Sequence, residues 1–205
     1  MGIKYKFIGL LFLLIVVTTS FNCHKICIGT KSVYSFDIGI KAFPDKDSMK
    51  VGDTLHLIVN SPVRLMDQRT NTEVNYKGAV NLGTVISFAR LIDTNNAKVA
   101  TGNFNYELKT GKTVKNANGD KFKEYLFEEI DQTYQFNLAI VPQKVGVYKL
   151  FVSNAANVFR KNDKCTKAGF DINFKNTDQH LYYNKIITPN MTLPIGEGVY
   201  LFKVY

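Results

Sequence analysis

Three cysteines are the residues of this chain whose types and spacing allow distinctive chemistry: Cys23, Cys27 and Cys165. A thiolate can bind a metal, pair with a second thiol or take up a covalent group. Cys-x3-Cys with one distant third cysteine is not a zinc spacing, so we predict no metal site. In an oxidising compartment an odd number of cysteines leaves one thiol over. The compartment therefore decides what these residues do.

The N-terminus has the layout of a secretory signal. Lys4 and Lys6 precede a largely apolar run from Phe7 to Val17, and small or hydroxylated residues follow it. The run is about half as long as a membrane-spanning helix requires, which favours a removed signal over a permanent anchor. We expect the chain to be exported, with residues 1–22 as its signal peptide.

Two cleavage sites are compatible with this segment. Cleavage after Ser20 would use Thr18 and Ser20 as the small residues at the recognition positions. Cleavage before Cys23 would allow a lipid on its sulfur, as in bacterial lipoproteins, and Cys23 lies where such a cysteine belongs, although the two residues ahead of it are not the usual small ones. The second alternative predicts a lipid on Cys23 as the contact with the membrane and residues 23–32 as a tether.

A lipid on Cys23 would leave Cys27 and Cys165 to pair. Their disulfide would close a loop of about 139 residues and contribute on the order of 4 kcal/mol if it is unstrained. The alternative is that both remain thiols. We predict the disulfide.

No catalytic constellation stands out in the sequence. A glycosidase needs two carboxylates that face each other across the scissile bond, and adjacent Glu128 and Glu129 would point to opposite faces of a strand. No Gly-x-Ser-x-Gly motif is present. We therefore predict a protein that is not an enzyme and binds no cofactor, with His56 and His180 as structural histidines. The acidic residues that a hydrolase could use are Asp37, Glu107, Glu128 and Glu129.

The formal charge of +9 leaves several partners open. A basic balance can favour nucleic acid, anionic lipid or acidic glycan, or serve only solubility. Export and the lack of a basic-and-aromatic strand motif argue against nucleic acid. The dipeptide Asn118-Gly119 is typical of a type I′ turn and predicts a basic hairpin over 109–123. Its lysines either contact a polyanion or are solvated: Lys109, Lys112, Lys115, Lys121 and Lys123.

Alternation of apolar and polar residues predicts strands along most of the chain. Tyr34 to Ala42 and Leu55 to Val59 each place every second side chain on an apolar face. The charged stretch 63–79, which contains Arg64, Asp67, Arg69 and Glu73, is expected to be a solvated connection. The terminal residues 199–205 are expected to pair within a sheet.

A helix start is predicted at Asn176, because Gln179 follows three residues later. The helix would run to about Ile187, before Pro189. Together these patterns predict one domain, 33–205, that is mainly β: an antiparallel immunoglobulin-like β-sandwich with one short C-terminal helix.

Several motifs of the chain resemble those of a group of small Bacteroidota lipoproteins with an immunoglobulin-like β-sandwich and no assigned activity. They are a signal that ends in Cys23, Tyr-Ser-Phe-x-Ile from Tyr34, Val-Gly-Asp-Thr from Val51, Asp-Lys-Cys from Asp163, His-Leu-Tyr-Tyr from His180, and the terminal Tyr-Leu-Phe-Lys-Val-Tyr. The resemblance implies an outer-membrane location with an anchor on Cys23. Surface-exposed lipoproteins of that phylum carry acidic residues just after the lipidated cysteine. This chain has His24 and Lys25 there instead, which favours the periplasmic side.

The function that these features favour is a non-catalytic envelope lipoprotein. As a binding or scaffolding module it would present Tyr and Phe rings to a protein or glycan ligand, and we expect a monomer. The alternatives are an envelope hydrolase that acts on glycans, and an adhesion or assembly subunit that recruits strands at its sheet edges.

Overall fold

The computed structural model describes residues 33–93, 96–115, 119–175 and 199–205. Within these ranges the chain forms strands joined by short turns, and a single turn of 3₁₀ helix at Thr101–Asn103. The strands are β1 (Tyr34–Phe43), β2 (Ser48–Met49), β3 (Leu55–Pro62), β4 (Arg64–Asp67), β5 (Thr72–Asn75), β6 (Ala79–Val80), β7 (Gly83–Leu91), β8 (Ala97–Val99), β9 (Phe104–Thr110), β10 (Lys112–Val114), β11 (Lys123–Leu126), β12 (Glu128–Ile130), β13 (Thr133–Pro142), β14 (Gly146–Val152), β15 (Ala155–Arg160), β16 (Asp163–Phe174) and β17 (Val199–Val204).

The two-residue period of the sequence is the period of burial in these strands. In β1 the side chains of Phe36, Ile38 and Ile40 are buried, while the residues between them are not. In β3 Leu55 and Leu57 are buried in the same way. Because successive strand residues point to opposite faces, each strand presents one apolar face to a core. The prediction of a mainly β domain is confirmed.

The first large sheet has the strand order β12–β13–β3–β1–β16–β15–β6, with β9 also paired to β13. Its central pair, β1 and β16, is parallel, with Tyr34 opposite Ala168 and Ile40 opposite Phe174. The prediction of an antiparallel sandwich therefore does not hold for this pair. Strands this far apart in sequence are not joined by a hairpin, so nothing local imposes an antiparallel direction.

The second large sheet has the order β10–β11–β7–β14–β17–β2, with β8 also paired to β7. The last strand, β17, lies inside it: Phe202 is opposite Tyr148 of β14, and Val204 is opposite Met49 of β2 in a second parallel pair. The prediction that the C-terminal residues pair in a sheet is confirmed.

Buried side chains of the two large sheets belong to one hydrophobic cluster. Phe104 of β9 stacks on Phe88 of β7 with ring centroids 3.9 Å apart. Phe174 of β16 meets Tyr200 of β17 at 5.5 Å. Such ring contacts join strands of different sheets, and aromatic pairs at these spacings add to the energy of simple burial. The arrangement fits the predicted β-sandwich.

The expectation of a solvated connection over 63–79 is wrong. This stretch forms the antiparallel hairpin β4–β5 and then β6. Leu65 and Asp67 both point inward, and Asp67 is 1% exposed. The alternation was hidden because a carboxylate occupies one of the inward positions, where a strand pattern calls for an apolar residue.

Three predicted segments lie outside the described residues: the export signal 1–22, the tether 23–32 and the helix expected from Asn176 to Ile187, which includes His180. Among the described residues no helix is long and apolar enough to cross a membrane.

Candidate functional site

The four carboxylates that a hydrolase could use each have a partner within the fold. Glu128 accepts a hydrogen bond from the backbone N–H of Gly111 at 3.2 Å. Its neighbour Glu129 accepts one from the N–H of Gly78 at 2.7 Å. Both side chains thus satisfy backbone donors of other segments, as buried and half-buried amides require.

The other two carboxylates pair with lysines. Asp37 Oδ2 lies 2.7 Å from Lys175 Nζ. The Lys175 side chain packs over Gly39, where a Cβ would lie only 2.2 Å from Lys175 Cγ. Glu107 forms an ion pair with Lys109 on the same strand. The structure places these residues on β1, β9 and β12 and gives each its own partner.

One concave surface in the described part of the chain is a groove of about 380 Å³. It lies at the start of β7 and the end of β11, beside the connection between β14 and β15. Apolar, small and polar side chains alternate along its wall. The lining consists of Asn81, Gly83, Thr84, Val85, Val114, Glu124, Tyr125, Leu126, Ser153, Asn154, Ala155 and Ala156.

Several polar side chains that line this groove already form hydrogen bonds within the protein. Thr84 Oγ1 donates to the carbonyl of Ser153 at 3.0 Å, and Ser153 Oγ accepts from the N–H of Val85 at 3.2 Å. The amide of Asn154 bridges Asp171 and the N–H of Ile172.

Two polar groups of the lining, the Asn81 amide and the Glu124 carboxylate, enter none of these hydrogen bonds. Burial raises the pKa of Tyr125, beside Glu124, to about 12, so its hydroxyl stays a neutral donor at ordinary pH. A groove in which one carboxylate and one amide are left over beside apolar side chains such as Val85 and Leu126 can hold a ligand by contact and a few hydrogen bonds.

The region predicted as a basic hairpin over 109–123 contains a hairpin over 112–126. It consists of β10 and β11, with Lys112 opposite Leu126, and Asn118 of the expected turn lies outside the described residues. Lys109 belongs to β9 of the other large sheet. Lys123 lies 5.7 Å from the centre of the Tyr106 ring. Four of the five predicted lysines lie in the hairpin: Lys112, Lys115 and Lys121 are exposed, and Lys123 is half-buried.

Of the cysteines, Cys165 alone is described. It lies half-buried in β16, and its backbone N–H donates to Asp163 Oδ1 at 3.3 Å. Because Cys23 and Cys27 fall outside the described residues, both the lipid on Cys23 and the Cys27–Cys165 disulfide stay predictions.

The histidine expected on a polar strand face has a structural partner. His56 Nδ1 lies 3.2 Å from Asn137 Oδ1 on the neighbouring strand. Among the described residues no three His, Cys, Asp or Glu side chains come together as a metal-binding group.

Sequence reasoning missed a cluster around Arg160. Its guanidinium lies 4.9 Å from the ring centre of Tyr76 and 5.8 Å from that of Tyr34. The one proton of the Tyr76 hydroxyl is shared between the carbonyl oxygens of Val158 and Thr166. No spacing in the sequence predicts such a cluster, because Tyr34 lies in β1, Tyr76 lies between β5 and β6, and Arg160 lies in β15.

Comparison of the sequence with models of protein families gives no match, and none of the curated proteins matches it either.

Proposed function

We propose that this chain is a non-catalytic module of the bacterial cell envelope, anchored through a lipid on Cys23 and acting as a binding or scaffolding domain. The observation that carries this proposal is the use of the carboxylates: Glu128 and Glu129 bind backbone amides, and Asp37 and Glu107 pair with lysines. The groove has Glu124 as its one acid. A pair of opposed carboxylates, which glycoside hydrolysis needs, is not what these contacts provide.

The immunoglobulin-like β-sandwich is part of the same proposal. Two mostly antiparallel sheets around a shared aromatic core support it. Folds of this kind serve many functions, so the fold alone argues for none of them.

Short sheet edges support a monomeric binder over an assembly subunit. The outer strands β2 and β6 have two residues each, and β8 and β10 have three. The longer edge strand, β9, alternates Asn105, Glu107 and Lys109 on its exposed side. Short and charged edges are those that natural proteins use to prevent strand recruitment. Light scattering after size-exclusion chromatography should therefore give the mass of one chain; defined oligomers would favour assembly.

The anchor is tested by metabolic labelling with palmitate. We expect label on the wild-type chain, loss of label in Cys23→Ala, and accumulation of the unprocessed form with globomycin. Equal label on both chains, or none on the wild type, would remove the anchor from the proposal.

The groove is the contact region that we propose for the ligand. Glu124→Lys reverses the charge of its single acid, and Glu107→Lys, the same charge change at a side chain 70% exposed on the other large sheet, is the matched control. We expect the first change alone to weaken retention by immobilised envelope glycans or envelope protein extract. Hydrolysis of a glycan or ester substrate that a single carboxylate substitution abolishes would instead favour the hydrolase.

A further inference from the structure

Several loops meet at the end of the domain where β1 begins. Val33 N–H donates to the carbonyl of Lys167 at 2.7 Å, which places the first part of β16, the strand that follows the turn after β15, beside the start of the described chain. Gln68 N–H donates to Ser35 at 2.8 Å and brings the tip of the β4–β5 hairpin to the same place. We call this region the N-terminal end; it comprises Val33, 64–73, 76–78, 129–133 and 160–167.

Further backbone hydrogen bonds make these loops one surface. Lys161 N–H donates to the carbonyl of Gly78 at 2.9 Å. Val63 N–H donates to Gln132 at 2.9 Å, which adds the turn between β12 and β13. The loops are therefore held together by main-chain contacts and do not rely on flexible side chains.

Exposed apolar side chains occur on three of these segments. Val33 is 51% exposed, Met66 is 47% exposed and Ile130 is 40% exposed. Single exposed apolar residues are common on soluble proteins, but these three share one end of the molecule.

Basic residues outnumber acidic ones at the N-terminal end. Arg64, Arg69, Lys77 and Lys161 are exposed, and Arg160 and Lys167 are half-buried. The acids of the same segments are Asp67, Glu73, Glu129, Asp131 and Asp163, of which Asp67 lies 3.7 Å from Arg69 and Glu73 lies 3.2 Å from Arg64. The ten residues before Val33 add Lys25 and Lys31 and no acid.

The opposite end of the domain differs in charge. There β1 ends at Phe43 and the C-terminus meets the connection after β2, since Val51 N–H donates to Tyr205 at 3.1 Å. Its loops 44–54 and 142–146 carry equal numbers of acidic and basic residues: Asp45, Asp47 and Asp53, and Lys46, Lys50 and Lys144. Only the N-terminal end combines a basic excess with the point where the tether joins.

We propose that the N-terminal end docks on an anionic lipid surface, with Val33, Met66 and Ile130 at the interface and the basic side chains near the headgroup phosphates. This inference rests on the proposed anchor at Cys23. Residues 23–32 span at most about 35 Å when fully extended, which keeps this end near the bilayer. Clustered Lys and Arg beside an anchor are attracted to anionic headgroups, and exposed apolar side chains add contact with the interface.

The chain contains no tryptophan, so a single introduced one reports on its own surroundings. The test places full-length protein on vesicles of phosphatidylethanolamine and phosphatidylglycerol whose acyl chains carry bromine, a contact quencher. Met66→Trp reports on the N-terminal end, and Val145→Trp, at a site 55% exposed on the opposite end, is the matched control. We expect about twofold quenching of the first variant and none of the second, because only the first lies at the interface.

A charge arm tests the same surface. Lys77→Glu with Lys161→Glu should remove the quenching of Met66→Trp, as should replacement of phosphatidylglycerol by phosphatidylcholine. Unchanged quenching in both, equal quenching of the two tryptophan variants, or no quenching of either would overturn the docking proposal. Denaturation midpoints of the variants establish that they are folded.

Palmitate labelling separates this proposal from the anchor. Labelled protein without selective quenching leaves the anchor in place and rejects docking. Unlabelled protein whose Met66→Trp variant is still quenched on anionic vesicles rejects the anchor and supports docking. Unlabelled protein without quenching rejects both.

Discussion

Asp67 Oδ1 accepts a hydrogen bond from the backbone N–H of Ser35 at 2.8 Å, although the two residues are 32 positions apart. The second oxygen, Oδ2, accepts from Thr70 Oγ1 at 2.8 Å. One buried carboxylate thus joins the β4–β5 hairpin to the first strand and closes the turn of its own hairpin. The hydrogen bond from Ser35 is the main cause that holds the pKa of Asp67 below its ordinary value of 3.8.

Asp67→Asn should lower stability and reduce its dependence on acid. Because the folded-state pKa lies below the unfolded one, the contribution of the carboxylate is complete above the unfolded pKa and is lost as the pH falls through the folded pKa. We expect the urea midpoint of the wild type to fall more than that of the variant between about pH 5 and about pH 3, the range in which carboxyl groups titrate.

Glu73→Gln is the control for that experiment, since the Glu73 side chain is 56% exposed. It should follow the wild-type pH profile. Superimposable profiles for the wild type and Asp67→Asn would show that the carboxylate charge contributes nothing to folding.

The sequence predicts a strand where one face of that strand is wholly apolar. In β13 the side chains of Tyr134, Phe136 and Leu138 are buried, and their alternation with the polar residues Gln135 and Asn137 is visible in the sequence. The pattern fails where a polar side chain faces inward, as Asp67 does. A buried carboxylate is stable only through donors such as the N–H of Ser35, which belong to another part of the chain.

The candidate site could not be predicted, because it depends on which strands become neighbours. Glu124 and Ser153 line one groove only because β7 pairs with both β11 and β14. Arg160 reaches Tyr34 because β1 and β16 run in parallel and β15 follows beside them. Pairing of strands this distant leaves no local mark in the sequence.

Tyr76→Phe should destabilise the domain by about 1 to 3 kcal/mol, because it removes the hydroxyl proton that is shared between two carbonyl oxygens, one of them in a buried contact. Those acceptors are Val158 O at 3.1 Å and Thr166 O at 3.0 Å. Equilibrium denaturation measures the loss, and Tyr205→Phe, at a site 56% exposed, should leave stability unchanged. Equal effects of the two substitutions would contradict a role for the hydrogen bonds.

The same tyrosine predicts a loss of stability in alkali. Burial raises the pKa of Tyr76 from 10.0 to about 12. A raised folded-state pKa gives a contribution that is complete below the unfolded pKa and is lost as the pH rises through the folded one. The wild type should therefore lose more stability between pH 10 and pH 12 than Tyr76→Phe, as followed by denaturation at each pH.

Gly83→Ala should disrupt the contact between β7 and β11. A Cβ at Gly83 would lie 2.0 Å from the backbone oxygen of Tyr125 and 2.8 Å from Cα of Leu126, and neither backbone atom can move without breaking the pairing. We expect a loss of about 2 kcal/mol or more, as for other overpacked sites. Gly102→Ala is the control, because nothing lies within 4 Å of its Cβ position. A Gly83→Ala domain as stable as the Gly102→Ala domain would mean that the two strands separate readily.

Loss of the predicted Cys27–Cys165 disulfide should lower stability by about 4 kcal/mol, because it closes a long loop in the unfolded chain. Cys27→Ser and Cys165→Ser should then have equal effects, and reductant should lower the wild-type midpoint to theirs. Peptide mapping without reduction identifies the partner directly. A peptide that joins Cys165 to Cys23 would contradict the lipid anchor as well, since a sulfur held in a disulfide has no valence left for a lipid. Unchanged midpoints in both serine variants would instead show that the thiols stay apart, and the start of the mature chain would then be held to β16 by backbone contacts such as Val33 N–H to Lys167 O.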